Sequence, residues 1–239
     1  MKAPRTIRFW LPAFLLLALT GCQSARMAVP TDLEARSEAL PCVGRGGFTI
    51  SEKFSFGPYA VTDVHRGWTR RVTWGIVFYE HSNARQQYEF TLQAPSGRTW
   101  HGQAATGATQ EDLKTMVARG ELTLGVSRKI DYVARLGQPG EDKAWTLVLS
   151  EGNGQAPLKG SLSNKDSTYH IEGSRQLAGT TIPLMENAGF LIRKGSRLVA
   201  AVDGINAGSV FLDRELAPEE REPLAAAAAA LLLYRDITR

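Results

Sequence analysis

The sequence predicts a mostly β protein, an antiparallel barrel or sandwich of about a dozen short strands closed by a buried apolar helix. Three observations carry that prediction. From residue 46 onward apolar side chains recur with a period of two, Gly- and Pro-bearing turns interrupt them at short intervals, and the run 224–234 is apolar on every side. The first two features describe half-buried strands joined by tight turns. The third describes a helix with no face suited to water.

The strands follow in order. Phe48, Ile50, Phe54 and Phe56 alternate with Thr49, Ser51, Lys53 and Ser55, with Glu52 as the misfit, and Gly57-Pro58 turns the chain into a strand over 59–65. Beyond Gly67, a long strand carries Trp68, Val72, Trp74, Ile76 and Phe78 on one face. Tyr88, Phe90 and Leu92 define another, which Pro95-Ser96-Gly97 turns into a hairpin partner over 98–103. Residues 109–119 break the alternation. Thr109 and Asp112 give a helix start signal, Leu113, Met116 and Val117 share a face, and Gly120 stops it. The period of two then resumes through Leu122, Leu124, Val126, Ile130, Tyr132, Ala134 and Leu136, broken by Arg128 and Val133, with a bend expected near Gly125. Further strands are expected over 145–149, 158–162, 169–172, 181–184, 189–193, 197–203 and 208–213.

The last element has acids before it (Glu219, Glu220, Glu222) and Arg235 and Arg239 after it, signs that suit the two ends of a helix dipole. Pro223 is best tolerated in a first turn, so the regular helix is expected to begin near Glu222. Its apolar stretch spans about 16 Å, roughly half of a bilayer's hydrocarbon core. It is therefore read as buried in or under the sheet. A strand succession ending in such a helix resembles the tubby-like architecture of tubby, the plant LURP-one-related proteins and the phospholipid scramblases. The resemblance covers residues 46–239, rests on layout, and implies a barrel of about twelve strands around the helix; no lipid-binding residue is carried over from it.

The N-terminus reads separately. Lys2, Arg5 and Arg8 precede an apolar stretch over 9–19, too short for a permanent membrane span, and then come Leu19, Thr20, Gly21 and Cys22. An aliphatic residue and two small ones before a cysteine resemble the lipobox of bacterial lipoproteins. The resemblance covers the first 22 residues. It implies a diacylglycerol thioether on Cys22 Sγ, cleavage before Cys22 and acylation, palmitate included, of the new amine. Two or three chains at about 0.8 kcal/mol per buried methylene make a stable anchor. Gln23, rather than aspartate, favours the outer membrane, facing the periplasm. The domain plan is then a signal peptide over 1–21, a lipidated tether over 22–45 and one β-rich domain over 46–239. Within the tether, Thr31 and Glu34 read as a capping box opening a short helix, with Leu33 and Leu40 on one side and Pro41 as its stop.

Cleavage leaves 218 of the 239 residues, enough for a real core. Of 28 Lys and Arg, three lie in the signal, which leaves 25 against 24 Asp and Glu. That interspersed near-neutrality argues against a nucleic-acid partner. With Cys22 committed to lipid, Cys42 reads as a buried small apolar side chain, a reduced thiol or half of an intermolecular bridge, the first favoured by the burial habit of cysteine.

His65, His81, His101 and His170 are scattered and form no metal-ligand pattern. No nucleophile elbow, phosphate loop or dinucleotide fingerprint occurs, so the sequence predicts no cofactor, no metal site and no catalytic residue. The most pointed polar cluster is Arg66, Trp68 and Arg70, which strand geometry puts on one face. It suits an anionic headgroup or glycan, or, as a plainer reading, cross-strand ion pairs at a solvated strand end. The expectation is thus a non-enzymatic, lipid-anchored envelope protein acting in binding or envelope assembly, with the membrane and a lipid or envelope protein as partners. A carrier or sensor of a hydrophobic ligand would need a cavity beside the helix, and a hydrolase of envelope polymers would need a cleft with converging Asp, Glu or His.

Overall fold

The computed structural model describes residues 24–45, 53–66, 86–106, 130–140, 143–150 and 156–237. These form a short helix α1 (Thr31–Arg36), then β1 (Ser37–Val43), β2 (Phe54–Phe56), β3 (Tyr59–Arg66), β4 (Gln86–Gln93), β5 (Thr99–Thr106) and β6 (Ile130–Gly137). There follow β7 (Trp145–Ser150), β8 (Lys159–Ser163), β9 (Thr168–Ser174), β10 (Gly189–Lys194), β11 (Arg197–Asp203), β12 (Ser209–Asp213) and α2 (Pro218–Ile237). Strands β2 to β12 pair with their sequence neighbours, and β1 inserts between β2 and β12 to close an antiparallel barrel.

Alternation dictates the inside. Tyr88, Phe90 and Leu92 of β4, Tyr132, Ala134 and Leu136 of β6, and Trp145, Leu147 and Leu149 of β7 are all buried in one interior cluster. Val133, the misfit in its run, is also buried, on the opposite face, with its register partners Ala105 and Val148. Gly102 of β5 lies where the Phe90 ring crosses it; a Cβ there would collide with that ring.

The helix α2 occupies the barrel axis. It touches β4, β5 and β6 on one side and β11 and β12 on the other, strands that stand across the barrel from each other. Every residue over 224–234 is buried, as a helix apolar all round requires. Twelve strands about 4.8 Å apart and tilted about 40° enclose a cylinder roughly 24 Å across. A helix of alanines is thin enough to sit inside it, and wall aromatics such as Phe56, Phe90 and Tyr169 fill the remaining annulus.

Four expectations are corrected. The segment 24–45 is not a tether free of strands. Residues 24–36 pack outside β10–β12, where Met27 and Leu33 join Ala188, Leu198, Ala201 and Phe211 in a second core, and β1 is a barrel strand. Helix α1 is capped by Pro30 with no side-chain cap bond. It ends at Arg36, so Leu33 faces the outer core while Leu40 faces the barrel interior. Helix α2 begins at Pro218, more than a turn before Glu222, which makes Pro218 rather than Pro223 the first-turn proline. The expected strand over 181–184 is a bend-rich part of the β9–β10 loop. The expected strand over 68–78, the helix over 109–119 and the bend near Gly125 lie outside the described residues, as does the signal peptide.

Candidate functional site

The turns β2–β3, β4–β5, β6–β7, β8–β9 and β10–β11 gather at the end of the barrel where α2 begins, and here its acids meet the wall. Glu222, 3% exposed, accepts from Trp100 Nε1 at 3.0 Å and pairs with Arg98 Nη2 at 2.9 Å. Glu220 accepts from Tyr169 Oη at 3.1 Å and Lys194 Nζ at 2.6 Å, and Arg221 Nη2 pairs with Glu38 at 2.6 Å. Burial pushes the Glu222 carboxyl up, but hydrogen bonds from Ser96, Trp100 and Arg98 outweigh it and hold the group below its ordinary range. Lys194 does the same for Glu220, with Tyr169 adding to it. Tyr169 is itself pushed up, by burial and then by the charge of Glu220.

Beside this end Asp213 is buried between Arg36 Nε at 2.9 Å and Arg197 Nη2 at 2.7 Å, with the Glu215 amide donating to its other oxygen at 3.0 Å. Burial raises its pKa, and the bonds from Arg36, the Glu215 backbone and Arg197 together carry it below the ordinary value. Arg36 also donates to the Leu198 carbonyl, so one guanidinium ties α1 to both β11 and β12.

At the opposite end the polar contacts run to the helix backbone. Tyr88 Oη donates to the Ala230 carbonyl at 2.7 Å, and Tyr132 Oη lies 2.5 Å from Tyr88 Oη and 3.2 Å from the same carbonyl. Burial pushes Tyr132 far above the ordinary phenol value, with the Tyr88 hydrogen bond working against it. Buried Arg45 donates through Nη1 to the carbonyls of Asn206 and Ala207 at 3.1 and 3.0 Å, and through Nη2 to that of Leu232 at 3.3 Å. One side chain thereby locks the end of α2 to the β11–β12 turn.

The predicted cluster of Arg66, Trp68 and Arg70 is described only at Arg66; the other two lie outside the described residues. A bulge in β3, where Asp63 takes φ 52, shifts the alternation so that the Arg66 guanidinium stands 5.8 Å over the ring of Tyr88. Arg66 thus joins Arg45 at the arginine end, close to the carbonyl end of α2, where positive charge is favoured. Cys22, the predicted lipid site, precedes the described residues by two positions. Cys42 is buried in the interior cluster. Burial lowers the pKa of His101, with Asp63 opposing it, and His170 is exposed. Among the described residues no three His, Cys, Asp or Glu side chains converge as a metal site would require, and no helix is long and apolar enough to cross a membrane.

Sequence reasoning missed Arg45 and the Tyr88–Tyr132 pair. The tyrosines sit on the buried parity of their strands, and a hydroxyl on that parity signals a polar partner inside. Compared with known proteins, the chain matches no family model, no curated protein and no solved structure.

Proposed function

We propose that the protein is a lipid-anchored component of a bacterial cell envelope, non-enzymatic, held at the periplasmic face of the outer membrane through Cys22 and acting by binding or assembly. The run of Leu19, Thr20, Gly21 and Cys22 behind a basic and apolar leader carries the anchor. The helix-filled barrel supports the rest. Its axis is taken by α2, and the acids of α2 are engaged in ion pairs and hydrogen bonds with wall residues rather than converging on a cleft. That favours a binding scaffold whose outer surface works over a carrier that takes a hydrophobic ligand along its axis. The enclosed helix also supports a tubby-like type for the barrel.

Cys22→Ser tests the anchor. The variant accumulates at the size of the uncleaved chain and takes up no labelled palmitate, while the parent takes up label and fractionates with outer membrane; normal processing of the variant would overturn the reading. Native mass spectrometry of the lipidated protein, extracted in mild detergent, tests the role. A retained protein mass supports assembly, and a retained small lipid beyond the anchor would shift the reading to a carrier.

A further inference from the structure

The two ends of the barrel differ in what they show to solvent. Around the start of α2 stand the ion pairs Arg98–Glu222, Lys143–Asp166, Lys194–Glu220, Arg197–Glu215 and Arg221–Glu38. Among the described residues the other end exposes apolar side chains beside the charged Lys53 and Glu186. Val43, Ile182 and Met185, the exposed large hydrophobic side chains among the described residues, are 66%, 75% and 92% exposed. All three lie at the arginine end, Val43 at the end of β1 and the other two in the β9–β10 loop. Residues 176–185 of that loop, Gln-Leu-Ala-Gly-Thr-Thr-Ile-Pro-Leu-Met, carry no charge.

The same loop receives the start of the described chain. The Ala28 amide donates to the Gln176 carbonyl at 2.9 Å, the Ala178 amide donates to the Arg26 carbonyl at 2.9 Å, and Met27 bridges Leu177. Asn206 of the β11–β12 turn holds the Ala25 carbonyl at 2.8 Å. Cys22 is four residues before Arg26, so its Cα is confined to within about 14 Å of the Arg26 Cα, beside this loop, when the chain is fully extended. A chain that short cannot carry the barrel clear of a bilayer. It brings one end of the barrel down onto the surface that holds the acyl chains, and that end displays the uncharged stretch 176–185, flanked in the loop by Arg175 and Glu186.

We infer that the β9–β10 loop is a membrane-contact surface, with Ile182 and Met185 entering the lipid headgroup and upper acyl region beside the lipidated Cys22 and setting the barrel upright with its ion-paired end toward the aqueous side. The inference rests on the proposed lipid anchor and adds to it an orientation and a second point of contact. Exposed apolar side chains next to an acyl anchor gain by leaving water, and a second contact turns a swivelling tether into a fixed attachment.

The test uses the full-length gene product, processed and lipidated in its own envelope, extracted in detergent and reconstituted into phosphatidylethanolamine–phosphatidylglycerol vesicles. Met185→Cys carries an environment-sensitive nitrobenzoxadiazole label, and Lys165→Cys, in the β8–β9 turn at the ion-paired end, carries the same label as reference. Both sites are exposed, and Cys42 is buried away from the reagent. The expected result is blue-shifted emission from the label at 185 and its loss when nitroxide-bearing lipids are included, with the label at 165 unchanged. An unquenched label at 185 on protein that floats with the vesicles overturns the contact surface and leaves the anchor standing. Quenching at both sites overturns the upright orientation. Protein that fails to float with vesicles overturns the anchor reading, and this inference falls with it.

Discussion

At the carboxylate end of the barrel α2 is held by side chains that meet side chains; at the arginine end it is held by side chains that meet its backbone. Glu220 and Glu222 are acceptors held below the ordinary carboxylate range, Glu220 by Lys194 and Glu222, against the upward pull of burial, by Ser96, Trp100 and Arg98. Ala230 and Leu232 offer backbone carbonyls, which do not titrate, to Tyr88, Tyr132 and Arg45. Both arrangements suit the helix dipole, acids at its start and cations at its end. Only one of them can be released by acid. One end is therefore adjustable and the other fixed, although the same helix passes through both.

The fixed end predicts the largest mutational effect. Arg45→Ala strips donors from three backbone carbonyls and leaves them beside a buried space, a loss of about 3–5 kcal/mol in denaturant unfolding. A loss under about 1 kcal/mol would mean that water replaces the guanidinium and that this end is no more fixed than the other. Glu222→Ala at the adjustable end is expected to cost less, about 2–3 kcal/mol, because Arg98 is 42% exposed and returns to water while only the Trp100 indole loses a partner in the interior. Equal costs in the two variants would erase the distinction.

Acid should act on the adjustable end with a smaller effect than substitution, since a protonated carboxyl still accepts hydrogen bonds. The folded-state pKa values of Glu220, Glu222 and Asp213 lie below their unfolded values. Their contribution is thus complete above the ordinary carboxylate values of 4.5 and 3.8 and is lost as pH falls through the depressed ones. Unfolding midpoints measured from pH 6 downward should fall below about pH 4.5, and Glu222→Gln should flatten that fall. An unchanged slope in Glu222→Gln would assign the acid sensitivity to Glu220 and Asp213.

Much of this architecture was legible in the sequence because it follows from period and polarity. The parity of Tyr88, Phe90 and Leu92 gives an inside face, and an apolar surface all round 224–234 demands enclosure. Strand β1 was hidden by Pro41, which has no amide to donate and reads as a helix stop. In the barrel Pro41 sits where the pairing changes hands, since 37–41 pair with β12 and 42–43 with β2. Arg45 was hidden because its partners are the carbonyls of residues 206, 207 and 232, and backbone groups leave no mark in a sequence. The inward turn of Arg66 was hidden by the bulge at Asp63, which shifts parity without any glycine to announce it.

The smallest effect sharpens the comparison within the fixed end. Three oxygens, of Tyr88, Tyr132 and Ala230, lie within hydrogen-bond reach of one another, yet the two phenols supply only two protons. Either phenol can donate across the 2.5 Å contact; because the 2.7 Å contact from Tyr88 to the carbonyl is shorter than the 3.2 Å contact from Tyr132, the expected order is Tyr132 donating to Tyr88 and Tyr88 to the carbonyl. Tyr132→Phe then removes the outer donor and costs about 1 kcal/mol. Tyr88→Phe removes the relay, leaves Tyr132 to reach the carbonyl at a poorer distance, and costs about 2 kcal/mol. The double variant should cost less than the sum, because the Tyr132 bond is already impaired once Tyr88 is gone. Strict additivity would show that the two hydroxyls bond the carbonyl independently. In that case the tight 2.5 Å approach between them holds no proton, and the fixed end is a pair of separate contacts rather than one chain.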